Sequence, residues 1–238
     1  MGAVTDVLSD IWHRATTAAP APDSRVAFTA AAVAALVVLV TPVWRIARNV
    51  ITIAHEGAHG LVAVLCGRRL AGIRLHSDTS GLTVSKGRTR GFGMVATGFA
   101  GYVGPGVLGL GAAWLTSRGY GVGVLWLVLV ALTLLLLQIR NWYGLWSVLV
   151  TGALLFVVTW WLDTRWQVGI AWTLCWFLLL GAVRPVVELQ ADRSRGRARS
   201  SDADLLARLT GVPGILWVIV FGLVTVGCAV LGGSLLWP

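Results

Sequence analysis

The sequence has few charged residues. Aspartate, glutamate, lysine and arginine make up only 12% of the 238 residues, whereas a soluble domain typically carries about 25%. Hydrophobic residues make up 57%, and the mean hydropathy is +0.80. A soluble core of this size could not bury so much apolar surface, but lipid can cover it. The composition therefore excludes a soluble globular protein and indicates a polytopic membrane protein.

Cysteine is also scarce, since the chain has only Cys66, Cys175 and Cys228. These three residues are scattered inside or at the ends of apolar segments, and no Cys-x-x-Cys pair is present. This pattern excludes both a disulfide framework and a zinc site built from cysteines.

Long apolar segments dominate what remains, and a helix needs about 20 such residues to cross a bilayer. We therefore predict an all-α polytopic membrane protein with about seven transmembrane helices. An amphipathic cytoplasmic segment at residues 1–25 precedes a single integral membrane domain at residues 26–238. The predicted spans are 26–44, 49–67, 94–117, 121–139, 142–162, 166–183 and 214–236.

The basic residues predict the orientation in the membrane. Fifteen of the 19 share one face if that face holds the N-terminus, segment 68–93, Arg140 and segment 184–213. The positive-inside rule makes this face cytoplasmic in a bacterial cell membrane, with the C-terminus outside. Anionic lipid at that face accounts for the net charge of +9. We therefore predict the lipid bilayer as a partner, and no nucleic acid.

Two segments on the predicted cytoplasmic face differ from the spans. In segment 70–92, apolar and polar residues alternate on both sides of a turn at 78–81, which predicts a small β-hairpin. Segment 184–213 is predicted to be a charged loop that contains a short helix at residues 201–210.

Histidine is rare, yet two of the four histidines lie four residues apart in His55-Glu56-Gly57-Ala58-His59, within the second predicted span. Positions i and i+4 share a face of a helix, so both imidazoles can reach one ion. The His-Glu-x-x-His spacing is typical of zinc sites in which the glutamate acts as general base, and its chance occurrence in this composition is about 4 × 10⁻⁴. We predict that His55 and His59 bind Zn²⁺ and that Glu56 is the catalytic base.

A catalytic zinc ion usually has three protein ligands, so one more is required. Asp202 and Asp204 lie just before the last span, on the same face as the C-terminal end of the histidine helix. Both could instead serve to begin the short helix, where acidic residues suit the helix dipole. The other acidic candidates are Asp78 in the hairpin turn, Asp163 on the opposite face, and Glu188 and Asp192 in the charged loop.

Several motifs together resemble one family, the site-2-protease-like membrane zinc metallopeptidases, in a divergent bacterial branch. The resemblance implies a membrane-embedded zinc endopeptidase that cleaves membrane-associated proteins or peptides, with His55 and His59 as ligands and Glu56 as base. The motifs are HEGAH inside a span, the hairpin after it, Ala100-Gly101-Tyr102, Arg140-Asn141 and Ser201-Asp202-Ala203.

The chain departs from this family at one position that matters. Typical members carry Asn-x-x-Pro followed by an aspartate that supplies the third ligand, but here Gly144 and Leu149 stand at the proline and aspartate positions. We expect Asp202 to replace the missing ligand, with Asp204 as the alternative. Asn141 is expected to bind the substrate, although a polar residue at the membrane interface fits the pattern equally well.

Two other functions stay open at this point. The missing Asn-x-x-Pro pattern is compatible with an inactive membrane scaffold or regulator that retains a degenerate metal site. A transporter is disfavoured, because a proton or metal path needs successive ionisable residues and the other spans have none. The sequence specifies neither the substrate nor the oligomeric state.

Overall fold

The computed structural model describes residues 2–197 and 201–237, which form a helical bundle with one small sheet. Within these residues the elements, in chain order, are α1 (Gly2–Thr16), α2 (Ser24–Leu39), α3 (Thr41–Leu65), β1 (Arg69–Leu75), β2 (Gly81–Lys86), α4 (Phe92–Ser117), α5 (Gly121–Leu136), α6 (Trp142–Trp161), α7 (Thr164–Ser194), α8 (Asp202–Thr210) and α9 (Gly214–Leu236).

The number of helices that can cross a membrane is smaller than predicted. Among the described residues, α4, α6, α7 and α9 are long and apolar enough, and α5 is apolar but has only 16 residues. Helices α2 and α3 meet at 100° and together make at most one broken span or a re-entrant loop. The chain is thus a multi-pass membrane protein with four or five candidate spans, and the predicted seven are not confirmed.

Glycine allows the central helices to pack closely. The Cα atoms of Gly106 and Gly109 on α4 face Ala182 and Leu178 on α7, and Gly232 on α9 faces Leu179. A Cβ atom at Gly232 would lie only 2.6 Å from the Leu179 side chain. Small residues drive helix association in lipid because they let backbones approach. The helices α4, α7 and α9 therefore form the core that supports the other elements.

Polar contacts with α7 hold the bend between α2 and α3. Arg184 donates hydrogen bonds to the Val38 carbonyl and to Thr41 Oγ1, on the two sides of the bend. Glu188 accepts a hydrogen bond from Trp44 Nε1 at 3.0 Å and pairs with Arg48 at 3.2 Å. The predicted spans 26–44 and 49–67 left Arg48 in the turn between them. It lies instead within α3, paired with a carboxylate.

Both ends of α3 lie at the end of the bundle that carries the sheet. Its first half contacts Glu188, near the C-terminal end of α7. Its last turn meets the first turn of α4, where a Cβ atom at Gly93 would lie 3.2 Å from Cys66 Cβ. Since α4 and α7 run antiparallel, these two contacts are at the same end. Helix α3 therefore does not traverse the bundle.

The N-terminal segment lies at the opposite end from the sheet, not beside it as predicted. Ala19 N–H donates to the Gly119 carbonyl at 2.9 Å, and Asp23 is 4.0 Å from Arg165. The start of α2 also contacts the end of α9, where the Phe28 and Trp237 rings are 5.2 Å apart. The two ends of the described chain thus share one face of the bundle. Which face is cytoplasmic stays a prediction.

The predicted β-hairpin is present and gains a partner that was not predicted. Strands β1 and β2 are antiparallel, with Ile73 opposite Thr83 and Leu75 opposite Gly81. Segment 138–141 pairs with the other edge of β1 in parallel, because Ile73 N–H donates to the Gln138 carbonyl and Arg140 N–H donates to the Ile73 carbonyl. One edge of the hairpin is therefore covered, and the outer edge of β2 is left open.

The region predicted as a charged loop is largely helical. Helix α7 continues through Pro185 to Ser194, and ion pairing of Arg184 with Glu188 one turn later supports this extension. Helix α8 begins with a capping box formed by Ser201 and Asp204 and ends at Gly211, whose φ of 76° suits glycine. The predicted short helix is therefore present, between the ends of α7 and α9.

Candidate metal centre

Three predicted ligands converge at one point, between α3 and the start of α8. The Nε2 atoms of His55 and His59 are 3.1 Å apart. Oδ2 of Asp202 lies 3.3 Å from the first nitrogen and 3.2 Å from the second. Among the described residues, this is the one group of histidine, cysteine or carboxylate side chains that could hold a metal ion.

The spacing of these donors fits zinc. Two ligands at about 2.0–2.1 Å from a tetrahedral ion lie about 3.3 Å from each other, which is close to the three observed separations. Two imidazoles and a carboxylate are also a donor set that zinc accepts in catalytic sites. The side chains keep between 10% and 22% of their surface exposed, so the site is not sealed from its surroundings.

Neighbouring groups fix the orientation of the imidazoles. Nδ1 of His59 lies 2.6 Å from the Thr97 carbonyl of α4, and the N–H on that nitrogen leaves Nε2 free to bind a metal. The His55 ring meets the Tyr102 ring edge to face at 5.0 Å. Gly101 of α4 faces both imidazoles, and a Cβ atom there would clash with them. Helix α4 thus forms the wall behind the ligands.

The third donor comes from the first residue of α8. This helix is anchored by Ala203 and Leu206, which are buried against Val103 and Phe221. Burial disfavours the charged form of Asp202, but the neighbouring His59 and His55 outweigh it and lower the pKa of this carboxyl well below its ordinary value. Asp202 is therefore anionic at neutral pH, as a metal ligand must be.

Glu56 lies beside the ligands but is not one of them. Its side chain is buried, and one carboxylate oxygen accepts a hydrogen bond of 2.6 Å from Thr83 Oγ1 of β2. Gly81, on the same strand, touches this carboxylate so closely that a Cβ atom would collide with it. The hairpin therefore holds Glu56 in place, which leaves the carboxylate available as a base.

The other predicted residues have different partners. Both ends of the Asn141 amide bond to the backbone of Leu75, with Nδ2 donating at 2.6 Å and Oδ1 accepting at 3.1 Å. Asp204 pairs with Arg193 and Ser201, and Glu188 pairs with Arg48 and Arg184. The amide of Asn141 thus joins segment 138–141 to β1. Its substrate-binding role stays a prediction.

Sequence reasoning missed Thr83 and Thr97, which orient Glu56 and His59. Thr83 did not stand out because Leu82 and Val84 are the apolar residues of β2, and apolar residues usually point inward. Here they are 50% and 43% exposed, and Gly81 and Thr83 face the site instead. A polar strand face next to a buried carboxylate was the available signal. Thr97 carried no signal in the sequence, since its contact with His59 is made by the backbone carbonyl.

Comparison with known protein families assigns the chain to one of them. The family model described as Peptidase M50B-like matches residues 28–232, which is most of the chain. The protein therefore belongs to the Peptidase M50B-like family, a group of membrane peptidases to which the site-2-protease resemblance pointed. No curated protein and no solved structure matches the chain.

Proposed function

We propose that this protein is a zinc endopeptidase of the bacterial cell membrane that hydrolyses peptide bonds of membrane-associated proteins. The observation that carries the proposal is the convergence of His55, His59 and Asp202 beside the buried carboxylate of Glu56. Asp202 stands in for the aspartate that the sequence lacks at position 149. A scaffold with a degenerate site would have no need of three donors at zinc spacing and an aligned base.

The residues would divide the chemistry as follows. His55, His59 and Asp202 would hold the ion, and bound zinc supplies Lewis acidity that makes water nucleophilic at neutral pH. Glu56 takes the proton from the attacking water and delivers it to the leaving amine. Thr83 holds the Glu56 carboxylate by its hydrogen bond, and Thr97 holds His59 in the ligating tautomer.

The substrate is proposed to bind as an added strand along β2. Segment 138–141 occupies the edge of β1, so the open edge of the sheet belongs to β2, and this strand touches Glu56 through Thr83. An extended chain paired with β2 would expose its backbone carbonyls, which a helix hides in its own hydrogen bonds. Leu82 and Val84 offer an exposed apolar surface to its side chains.

Photo-crosslinking tests this binding mode. A benzoylphenylalanine at Leu82, in a Glu56→Gln background that prevents cleavage, is expected to crosslink to a single-span model peptide. The same probe at Val130, an equally exposed apolar position on α5, is the matched control and is expected to give only background. Equal yields at the two positions would exclude strand addition at β2.

Metal analysis and peptide cleavage test the proposed function itself. Purified protein in liposomes is expected to contain about one zinc ion per chain and to cleave some of a panel of single-span peptides with glycine-proline pairs. His59→Ala is expected to lose both zinc and cleavage, whereas His76→Ala, on the exposed hairpin turn, retains both. Absence of zinc from the wild type would overturn the proposal. Zinc binding with no cleavage of any peptide would favour the inactive scaffold.

A further inference from the structure

The third ligand is carried by a short helix near the ends of α7 and α9. Helix α8 has nine residues and is joined to α7 by residues 195–201. Ala203 and Leu206 bury its apolar side, and Leu206 also contacts Gly98 of α4. These contacts bury one side of α8 against the bundle. A hydrogen-bonded contact at its first turn would add a directional restraint on the Asp202 carboxylate.

Arg193, in the last turn of α7, provides a directional contact. Its guanidinium donates to Oδ1 of Asp204 and, at 3.3 Å, to Oγ of Ser201. The side chain is only 21% exposed, and it fits against the start of α9, where a Cβ atom at Gly214 would lie 2.7 Å from Nη2. Arg193 therefore ties the ends of α7, α8 and α9 together.

Asp204 is fully occupied by this contact and by the helix cap. Its Oδ2 accepts hydrogen bonds from Ser201 N–H at 3.1 Å and from Ser201 Oγ at 2.7 Å, while Oδ1 accepts from Arg193. Both carboxylate oxygens are thus occupied by Arg193 and Ser201, which removes Asp204 as an alternative ligand.

We propose that Arg193 and Asp204 are positioning residues that hold the first turn of α8 so that the Asp202 carboxylate completes the metal site. This inference rests on the proposed function, because it assigns Asp202 as the third ligand. The contact acts on two residues close to Asp202 in the chain, Ser201 directly before it and Asp204 two residues later. Charge-assisted hydrogen bonds from a planar guanidinium are directional, so they add an orienting restraint to the packing of Ala203 and Leu206.

Cobalt(II) binding tests the proposal, because its visible spectrum reports the ligand set. Arg193→Ala is expected to weaken Co²⁺ binding about 10–100-fold, as loss of a supporting residue does at other metal sites. Its spectrum should shift toward that of Asp202→Ala, and Arg193→Lys should recover part of the affinity. The matched control is Arg197→Ala, which removes an exposed ion pair with Asp192 and leaves α8 untouched.

The outcomes separate this inference from the proposed function. A wild-type protein that binds neither Co²⁺ nor Zn²⁺ would defeat the proposed function. If the wild type binds Co²⁺ and Asp202→Ala does not, an Arg193→Ala protein that matches the Arg197→Ala control would overturn the positioning role. Should Arg193→Ala fail to fold, Asp204→Asn replaces it: the amide oxygen can still accept the capping hydrogen bond from Ser201, but the ion pair with Arg193 is removed. Wild-type affinity and spectrum in Asp204→Asn would equally overturn the role.

Discussion

Replacing Glu56 with glutamine is expected to lower kcat about 10²–10⁴-fold, the usual contribution of a general acid–base residue. Glutamine has nearly the same shape, and its amide oxygen can still accept the hydrogen bond from Thr83, so the hairpin should keep its place. The amide cannot accept the proton of the attacking water. Because Glu56 is not among the three converging donors, the zinc content should equal that of the wild type.

The measurement compares cleavage of a susceptible model peptide with zinc content in the same preparations. Asp78→Asn is the matched control, since it also neutralises a hairpin-region carboxylate but one exposed in the turn. Hydrogen bonds from Ser80 lower the pKa of Asp78, so the control removes a real negative charge at neutral pH. A Glu56→Gln enzyme that cleaves at the wild-type rate with zinc bound would place the base elsewhere.

Replacing Gly101 with alanine is expected to reduce zinc affinity by about 10²-fold or more, and activity with it. Mutation of residues that support metal ligands lowers metal affinity by up to about this factor. The added methyl group would lie 2.6 Å from His55 Nε2 and closer still to His59 Nε2. Neither imidazole can move away without leaving the position from which it faces Asp202. The substitution is small and favours helix formation, so the effect should be confined to the site.

Gly111→Ala is the matched control for this prediction. It makes the same substitution on the same helix, at a position where nothing beyond its chain neighbours and the adjacent helix backbone lies within 4 Å of the added methyl group. Zinc affinity measured by chelator competition should be unchanged in Gly111→Ala. A Gly101→Ala protein with wild-type zinc affinity would mean that the imidazoles do not point toward α4, which contradicts the proposed metal centre.

The chemistry of the site was more predictable than its surroundings. His55, Glu56 and His59 are adjacent in sequence, so helix geometry alone brings the imidazoles together. Asp202 was reached only by resemblance and elimination, because its distance from the histidines depends on packing that no local pattern encodes. The same holds for Asn141, whose amide pairs with the backbone of a strand far away in sequence.

The arrangement in the membrane was the least predictable part. Arg45 and Arg48 indicated a turn, whereas Arg48 lies within α3 and pairs with Glu188. The count of basic residues could not reveal that the N-terminal segment and this turn had each been assigned to the wrong end of the bundle. With α3 at the sheet end, Arg45 and Arg48 join that face while Arg14 and Arg25 leave it, so the predicted split of fifteen to four is unchanged. Charge counting therefore supports two arrangements equally.

The bend between α2 and α3 also explains how the ligands meet. A straight second span would have placed His59 far below the membrane surface, beyond the reach of a residue that precedes α9. Because α3 stays near the sheet end, Asp202 reaches the imidazoles from the start of α8.

The order of the donors along the chain has a consequence for biosynthesis. The two histidines are made early, and the aspartate follows only after α4, α5, α6 and α7 have been synthesised. A ribosome-bound intermediate therefore carries two of the three donors and cannot close the coordination sphere. The proposed activity is therefore expected to begin only after α8 has docked, so the nascent chain should not cleave its neighbours at the translocon.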